Sequence, residues 1–159
     1  MAGKSTLKAL EMLNSNWIEA RFVGPFFIRE PYLHLMQQKC DLIGPVPRSE
    51  VKRHYEWADV FVFPAVCEGS ATVTYEALAA GLPVITTPNA GSVVRDGIDG
   101  FIVPIRSPEA IAERIDLLAQ KPDLLAWMSQ NASNHAQNFS LGKYAERLLQ
   151  VILESSANN

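Results

Sequence analysis

The chain is poor in the residues that would commit it to several common designs. Among its 159 residues are two cysteines, Cys40 and Cys67, too few for a disulfide framework and in keeping with a reducing cytoplasm. Its three histidines, His34, His54 and His135, are scattered, and no Asp-x-Asp occurs, so no metal-ligand spacing stands out. No apolar run approaches the ~20 residues that cross a bilayer, and the N-terminus lacks the apolar stretch of a signal peptide. Basic residues do not dominate either. With 14 Lys and Arg against 17 Asp and Glu, the net charge of −3 gives no support to nucleic-acid binding or to a strongly anionic membrane target. Internal repeats, low-complexity segments and linkers are absent.

What is present is the composition of an ordinary globular domain, 48% apolar and 19% charged, long enough to bury a core as a single unit over residues 1–159. The rest of the chain is organised around residues 61–87, FVFPAVCEGSATVTYEALAAGLPVITT. Residues 59–64 form a short apolar, β-rich run. Residues 70–80 have helical spacing, stopped by Gly81 and Pro83, and 83–87 is a second β-branched run. Such a strand–helix–strand unit builds a parallel sheet with a helix on its face.

The loop of that unit, Glu68-Gly69-Ser70, falls just past the C-terminal end of a strand and just before a helix. Ligands of open α/β sheets bind at this place, and a helix N-terminus presents unpaired N–H groups and partial positive charge that suit a phosphate. Gly69 permits close backbone approach, and Ser70 is a candidate N-cap. Thr72, Glu76 and Ala80 then share one helix face, with Val73, Ala77 and Gly81 on the adjacent stripe toward the sheet. Glu68 and Glu76 thus come to face one cleft, although a lone helical glutamate is ordinarily just solvated. Cys67, with no histidine near it in sequence, reads as a small buried filler.

On either side the alternation continues. A first helix is predicted with Ser5 as its cap and Leu7, Leu10 and Leu13 buried. The Gly3-Lys4-Ser5-Thr6 run lacks the earlier glycine and preceding strand of a phosphate-binding P-loop and is not read as one. Residues 17–24 make a strand ended by Gly24-Pro25, 30–39 a helix, 42–46 a strand, and 49–58 a helix capped by Ser49 with Val51, Tyr55 and Ala58 inward. Beyond Gly100, residues 101–105 form a strand. Ser107-Pro108 start a helix that runs to about Gln120, Pro122 starts another, and Ser140 caps the last, with Tyr144, Leu148 and Val151 in one stripe. The C-terminal helices occupy about 122–155, and Asn158 and Asn159 should fray. The fold class is α/β, a Rossmann-like doubly wound parallel sheet with helices on both faces.

The motif Pro64…Glu68-Gly69…Glu76-Ala77-Leu78-Ala79-Ala80-Gly81-Leu82-Pro83-Val84-Ile85-Thr86-Thr87, with its two glutamates separated by seven residues, resembles the retaining glycosyltransferases of family 4, which have the GT-B fold. The turn and strand Asp96-Gly97-Ile98-Asp99-Gly100-Phe101-Ile102-Val103 resemble that family's D-G-x-x-G-x-x-V, and the likeness covers nearly the whole chain. It implies the C-terminal, nucleotide-sugar donor-binding half of a two-domain enzyme that moves a hexosyl group from a nucleotide diphosphate sugar to a sugar, glycan or lipid-linked acceptor. By the same resemblance the acceptor would be held by an N-terminal domain outside this chain, and the chain would start after the donor domain's first strand. The arginine and lysine that neutralise the diphosphate would then lie at or before its start, and the piece alone is expected to be inactive.

Carried over position by position, the resemblance gives Glu76 the ribose hydroxyls and Glu68 the donor sugar near its anomeric centre. It gives the backbone N–H groups of Ser70, Ala71 and Thr72 the sugar or distal phosphate, and the 44–47 turn, with Gly44 and Val46, the nucleobase edge. No metal or other cofactor is implied. Cytoplasm is the implied location, with the inner membrane face as the alternative for a full-length enzyme. One departure concerns the family's Gly-Gly followed by a glutamate: here residues 87–95 read TPNAGSVVR, with Ala90 for one glycine and no glutamate. This puts in doubt a sugar contact at the loop, where Asn89 and Ser92 read as turn chemistry. Two other classes stay open, a sugar-nucleotide epimerase-like enzyme of the same fold and a non-catalytic interaction domain.

Overall fold

The computed structural model describes residues 2–13, 17–25, 30 and 32–157. Helices and strands alternate as far as Val84–Thr86, as the sequence predicts, but the next strand, Gly100–Ile102, follows with only a 3-10 turn at Pro88–Ala90 between them, so the alternation stops there. In order the elements are α1 (Ala2–Met12), β1 (Arg21–Val23), α2 (Tyr32–Lys39), β2 (Asp41–Gly44), α3 (Arg48–Trp57), β3 (Phe61–Phe63), α4 (Thr72–Ala79), β4 (Val84–Thr86), β5 (Gly100–Ile102), α5 (Pro108–Gln120), α6 (Pro122–Ala136) and α7 (Leu141–Ala157). Every ladder is parallel. β1 pairs with β2, and β3, β4 and β5 pair in that order. Among the described residues no ladder joins the two sets.

β4 divides the core. Its Val84, Ile85 and Thr86 are all buried, the continuous β-branched run expected of a strand covered on both faces. Neighbouring residues of a strand point to opposite faces. Accordingly Ile85 packs with Ala9 of α1, Phe101, Val103, Ile111 and Leu118 of α5, and Met128 of α6. Val84 packs with Ala77 and Leu78 of α4, Leu82, Val94 and Ala132 of α6. β3 follows the same rule, with Val62 toward the first cluster and Phe61 toward the second. Helices therefore cover both faces, and the α/β class holds.

The Asp96–Gly100 turn has a structural reason for each of its marked residues. Gly97 has φ +72°. A Cβ on Gly100 would lie 2.1 Å from the Val84 carbonyl oxygen, so only glycine pairs there. Asp96 accepts the Ile102 N–H at 2.8 Å. Asp99, fully buried, accepts from the Arg95 backbone at 2.7 Å and its Nε at 2.6 Å, and stands 2.8 Å from His135 Nδ1 on α6. A carboxylate removed from water needs such partners.

Three predicted caps are corrected. α1 begins at Ala2, so Ser5 lies inside it. α3 begins at Arg48 behind Pro47, which occupies the N-cap without a side-chain bond, so Ser49 is already helical. α4 begins at Thr72, with Ala71 rather than Ser70 at its N-cap. Two other caps form as read: Ser107 Oγ accepts from the Ala110 N–H at 3.3 Å, and Ser140 Oγ from the Lys143 N–H at 3.2 Å. The strands are shorter than predicted, three or four residues each. Cys67, expected to be buried, is exposed, because it lies on the loop between β3 and α4, whose residues 67–70 all face solvent. The stripe on α7 is also exposed, Tyr144 by 60% and Val151 by 60%. Asn158 and Asn159 lie outside the described residues.

Candidate functional site

The site is built where two loops leave the C-terminal ends of neighbouring strands. The chain leaving β3 passes through Ala65, Val66, Cys67 and Glu68 to α4. The chain leaving β4 passes through Thr87 into a 3-10 turn at Pro88–Ala90. The second loop holds the first. Thr86 Oγ1 donates to the Phe63 carbonyl at 3.0 Å, and Thr87 Oγ1 donates to that of Ala65. The Glu68 N–H donates to the Asn89 carbonyl at 2.9 Å, while Asn89 Nδ2 donates to the Val66 carbonyl at 3.3 Å. Gly91 then passes under Gly69 with φ +58°. A Cβ there would lie 2.3 Å from the Gly69 carbonyl oxygen, so this position admits glycine for both conformation and space.

That arrangement presents Glu68, Gly69 and Ser70 to solvent. Ser70 does not cap the helix. Its carbonyl takes the Thr72 N–H at 3.1 Å, and the Ala71 carbonyl takes both the Thr74 N–H at 2.9 Å and Thr74 Oγ1 at 2.7 Å. Of the three backbone donors predicted for a ligand, the Thr72 N–H is thus turned back on its own loop. Among the described residues, the N–H groups of Ser70 and Ala71 form no backbone bond of this kind.

Glu76 sits in the second turn of α4. Thr72, Glu76 and Ala80 are exposed on one face, while Ala77 and Gly81 on the adjacent stripe are buried, as the spacing predicts. The helix is pressed between the sheet and α6 by Thr74, Ala77 and Leu78, each 0% exposed. The Glu76 carboxylate receives one bond: Tyr55 Oη on α3 donates to Oε2 at 3.1 Å. Burial, and after it the neighbouring Glu76 charge, push the Tyr55 phenol above its usual range, so it remains a donor.

Gly44 ends β2, buried and at φ +77°, and its carbonyl accepts the Gly24 N–H at 2.8 Å. Val46 follows, half-buried, just ahead of α3. Among the described residues no hydrogen bond or ion pair ties Gly44 or Val46 to either glutamate. Three cations that could offset a ligand's charge are engaged with other side chains. Lys4 lies over the Tyr32 ring at 4.5 Å, Arg53 pairs with Glu50 at 2.5 Å, and Lys52 pairs with Glu56 at 3.2 Å. Among the described residues no three His, Cys, Asp or Glu side chains gather as a metal set. Two surface clefts, of about 520 and 330 Å³, include neither glutamate. The candidate site is an open ledge.

Sequence reasoning missed three residues here. Tyr55 carried the helical spacing of a packing residue, and its bond to Glu76 spans 21 positions, which no local pattern reveals. Asn89, read as turn chemistry, also clamps the neighbouring loop; Ser92 does only the former, its Oγ accepting the Val94 N–H at 3.3 Å. Gly91 could have been found, as the one glycine kept where the family pattern has two.

A family model described as glycosyl transferases group 1 matches residues 7–135. The D-inositol 3-phosphate glycosyltransferase of Streptomyces griseus is 36% identical over 97 residues, 60% of this chain and 21% of that protein. The chain spans between about a fifth and a third of the length of such curated relatives. Anabaena HepE, solved in complex with UDP-glucose, matches with a TM-score of 0.81 at 18% identity, over 95% of this chain and 44% of that one. The C-terminal domain of a glycosyl transferase group 1 family protein from Francisella tularensis matches with a TM-score of 0.76 at 21% identity, over 87% and 79% respectively. At these identities the likeness to solved structures is one of fold. No helix among the described residues is long and apolar enough to cross a membrane.

Proposed function

The chain belongs to the group 1 glycosyl transferases, and from that premise we propose that it is the nucleotide-sugar donor domain of a retaining hexosyltransferase. The full-length protein moves a hexosyl group from a nucleotide diphosphate sugar to a sugar, glycan or lipid-linked acceptor, on the cytoplasmic side and without a bound metal. The carrying observation is that Glu68 and Glu76 are both exposed on one strand–loop–helix unit at the C-terminal end of β3, each tied to a different neighbour.

In this reading the Glu76 carboxylate accepts two hydrogen bonds from the vicinal ribose diol, for which its paired oxygens are suited. Glu68 stands beside the donor sugar and offsets positive charge developing at the anomeric carbon. The Ser70 and Ala71 amides, at the N-terminus of α4, meet the distal phosphate or sugar. Gly44 and Val46 border the base.

Charge sets the expected affinity. A nucleoside diphosphate brings roughly two negative charges to two carboxylates, and a helix N-terminus returns only ~0.5 of a positive charge. With Lys52 and Arg53 already paired, the 159-residue chain should bind donor with a Kd no better than ~10⁻⁴ M, about 5.5 kcal/mol. A submicromolar Kd contradicts this account.

The test is a ligand-observed NMR panel of UDP, GDP and ADP with their hexose conjugates. Uridine nucleotides come first because HepE was solved with UDP-glucose. Binding of one base series, lost in Glu76→Ala, supports the reading. Unchanged binding in Glu76→Ala favours an interaction domain instead, and product analysis of the full-length protein separates transfer from epimerisation.

A further inference from the structure

We propose that Tyr55 is a positioning residue for the donor: its hydroxyl, reaching from α3 across to α4, holds the Glu76 carboxylate in the orientation that receives the ribose diol. The inference rests on the ribose reading of Glu76 given above and adds a second residue to it.

Glu76 is exposed on a helix face, where a glutamate samples several rotamers. Freezing such a side chain when ligand arrives costs conformational entropy. Tyr55 removes most of that freedom beforehand. Its Oη donates to Glu76 Oε2 at 3.1 Å and passes 3.4 Å from the Val73 carbonyl, one helical turn earlier on α4. The hydroxyl is itself held still. The Tyr55 ring meets Phe61 edge-on, centroids 5.7 Å apart at 66°, and Phe61 stacks on Phe63 at 6.2 Å. The donor is thus anchored to β3, the strand whose outgoing loop carries Glu68.

The stoichiometry also fits. An ionised carboxylate has about four acceptor sites. One bond on Oε2 leaves Oε1 free and one site on Oε2, enough for two ribose hydroxyls. Packing alone explains the ring of Tyr55, since Ala58 and Phe61 beside it belong to the second core cluster; of the hydroxyl's two bonds, the longer one to the Val73 carbonyl ties α3 to α4 and the shorter one reaches the site's own carboxylate. A phenylalanine would fill the same space.

The experiment measures the Kd of UDP and of 2′,3′-dideoxy-UDP by ligand-observed NMR for the unsubstituted chain, Tyr55→Phe, Glu76→Ala and the double variant. Thermal melts confirm that each is folded. Tyr55→Phe should weaken UDP five- to tenfold, because the freed Glu76 carboxylate must then be ordered on binding, and leave dideoxy-UDP within twofold. In the Glu76→Ala background it should have no further effect. Equal weakening of both probes, persistence of the effect without Glu76, or unchanged UDP binding in Tyr55→Phe each overturns the proposal. If Glu76→Ala weakens UDP and Tyr55→Phe does not, the ribose reading stands and only the tyrosine's role is lost. If Glu76→Ala leaves UDP unaffected, or the chain binds no nucleoside diphosphate at millimolar concentration, both readings fall together.

Discussion

Glu68 and Glu76 belong to one motif with seven residues between them, yet the fold holds them by opposite means. Glu68 is on a loop, and what is fixed is its backbone. Its N–H is bound to Asn89, and the next residue lies against Gly91. No hydrogen bond to its carboxylate occurs among those formed by the described residues. Glu76 is on a helix whose underside is fully buried, and what is fixed is its carboxylate, by Tyr55. The first glutamate depends on a second loop twenty residues on in sequence, and the second depends on core packing and one phenol. Stability and binding should therefore come apart under substitution, differently for the two.

The largest effects test that separation directly. Leu78, 0% exposed beneath α4, should cost about 3 kcal/mol on conversion to alanine, by lost transfer energy and a residual cavity. Below its melting temperature the Leu78→Ala chain should still bind donor within about threefold, because neither glutamate's own partner is removed. Gly91→Ala should cost less stability, about 2 kcal/mol from strain at φ +58° and overlap with the Gly69 carbonyl. It should nevertheless weaken donor binding more than tenfold, because relief of that overlap moves the Glu68 loop and not the core. Denaturant melts beside NMR titrations give both quantities. A Gly91→Ala chain that binds normally breaks the comparison.

Asn89→Ala comes next. It removes the 3.3 Å bond to the Val66 carbonyl but leaves the backbone acceptor for the Glu68 N–H. We expect a loss of about 1 kcal/mol or less, a two- to fourfold loss of donor binding, and faster amide exchange confined to residues 65–70. If exchange rises equally around Glu76, the two anchors are not independent.

Much of this fold was legible in the sequence for identifiable reasons. The run Val84, Ile85, Thr86 announces a doubly covered strand, and Ser107-Pro108 announces a helix start whose capping bond forms. Gly97 and Gly100 mark a turn and a strand that only glycine allows. The motif also placed Glu68 and Glu76 on one unit. What stayed hidden is long-range. The bond of Tyr55 to Glu76 and the contact of Gly91 with Gly69 join positions about twenty apart, and no local spacing encodes them. The exposure of Cys67 follows from the path of a loop, which its composition does not specify.

The smallest effect separates two serines that look alike in sequence. Ser70 and Ser107 each stand one or two residues ahead of a helix, and both carry a preferred capping side chain. In the fold Ser107 Oγ receives the Ala110 N–H, whereas Ser70 is displaced by one residue from the N-cap, which Ala71 occupies without a side-chain bond. The displacement has a cause. The Ser70 carbonyl is engaged by the Thr72 N–H, and the neighbouring Gly69 is pinned over Gly91, so the loop enters α4 one residue late. Ser107→Ala should therefore cost about 1 kcal/mol and leave donor binding unchanged, while Ser70→Ala should cost less than about 0.5 kcal/mol. Any change in donor affinity on Ser70→Ala at constant stability then belongs to its hydroxyl as a ligand contact and not to the helix. Equal destabilisation by the two substitutions would mean that Ser70 caps α4 in solution, which would return its hydroxyl to the helix and leave the ledge beside Glu68 with backbone donors alone.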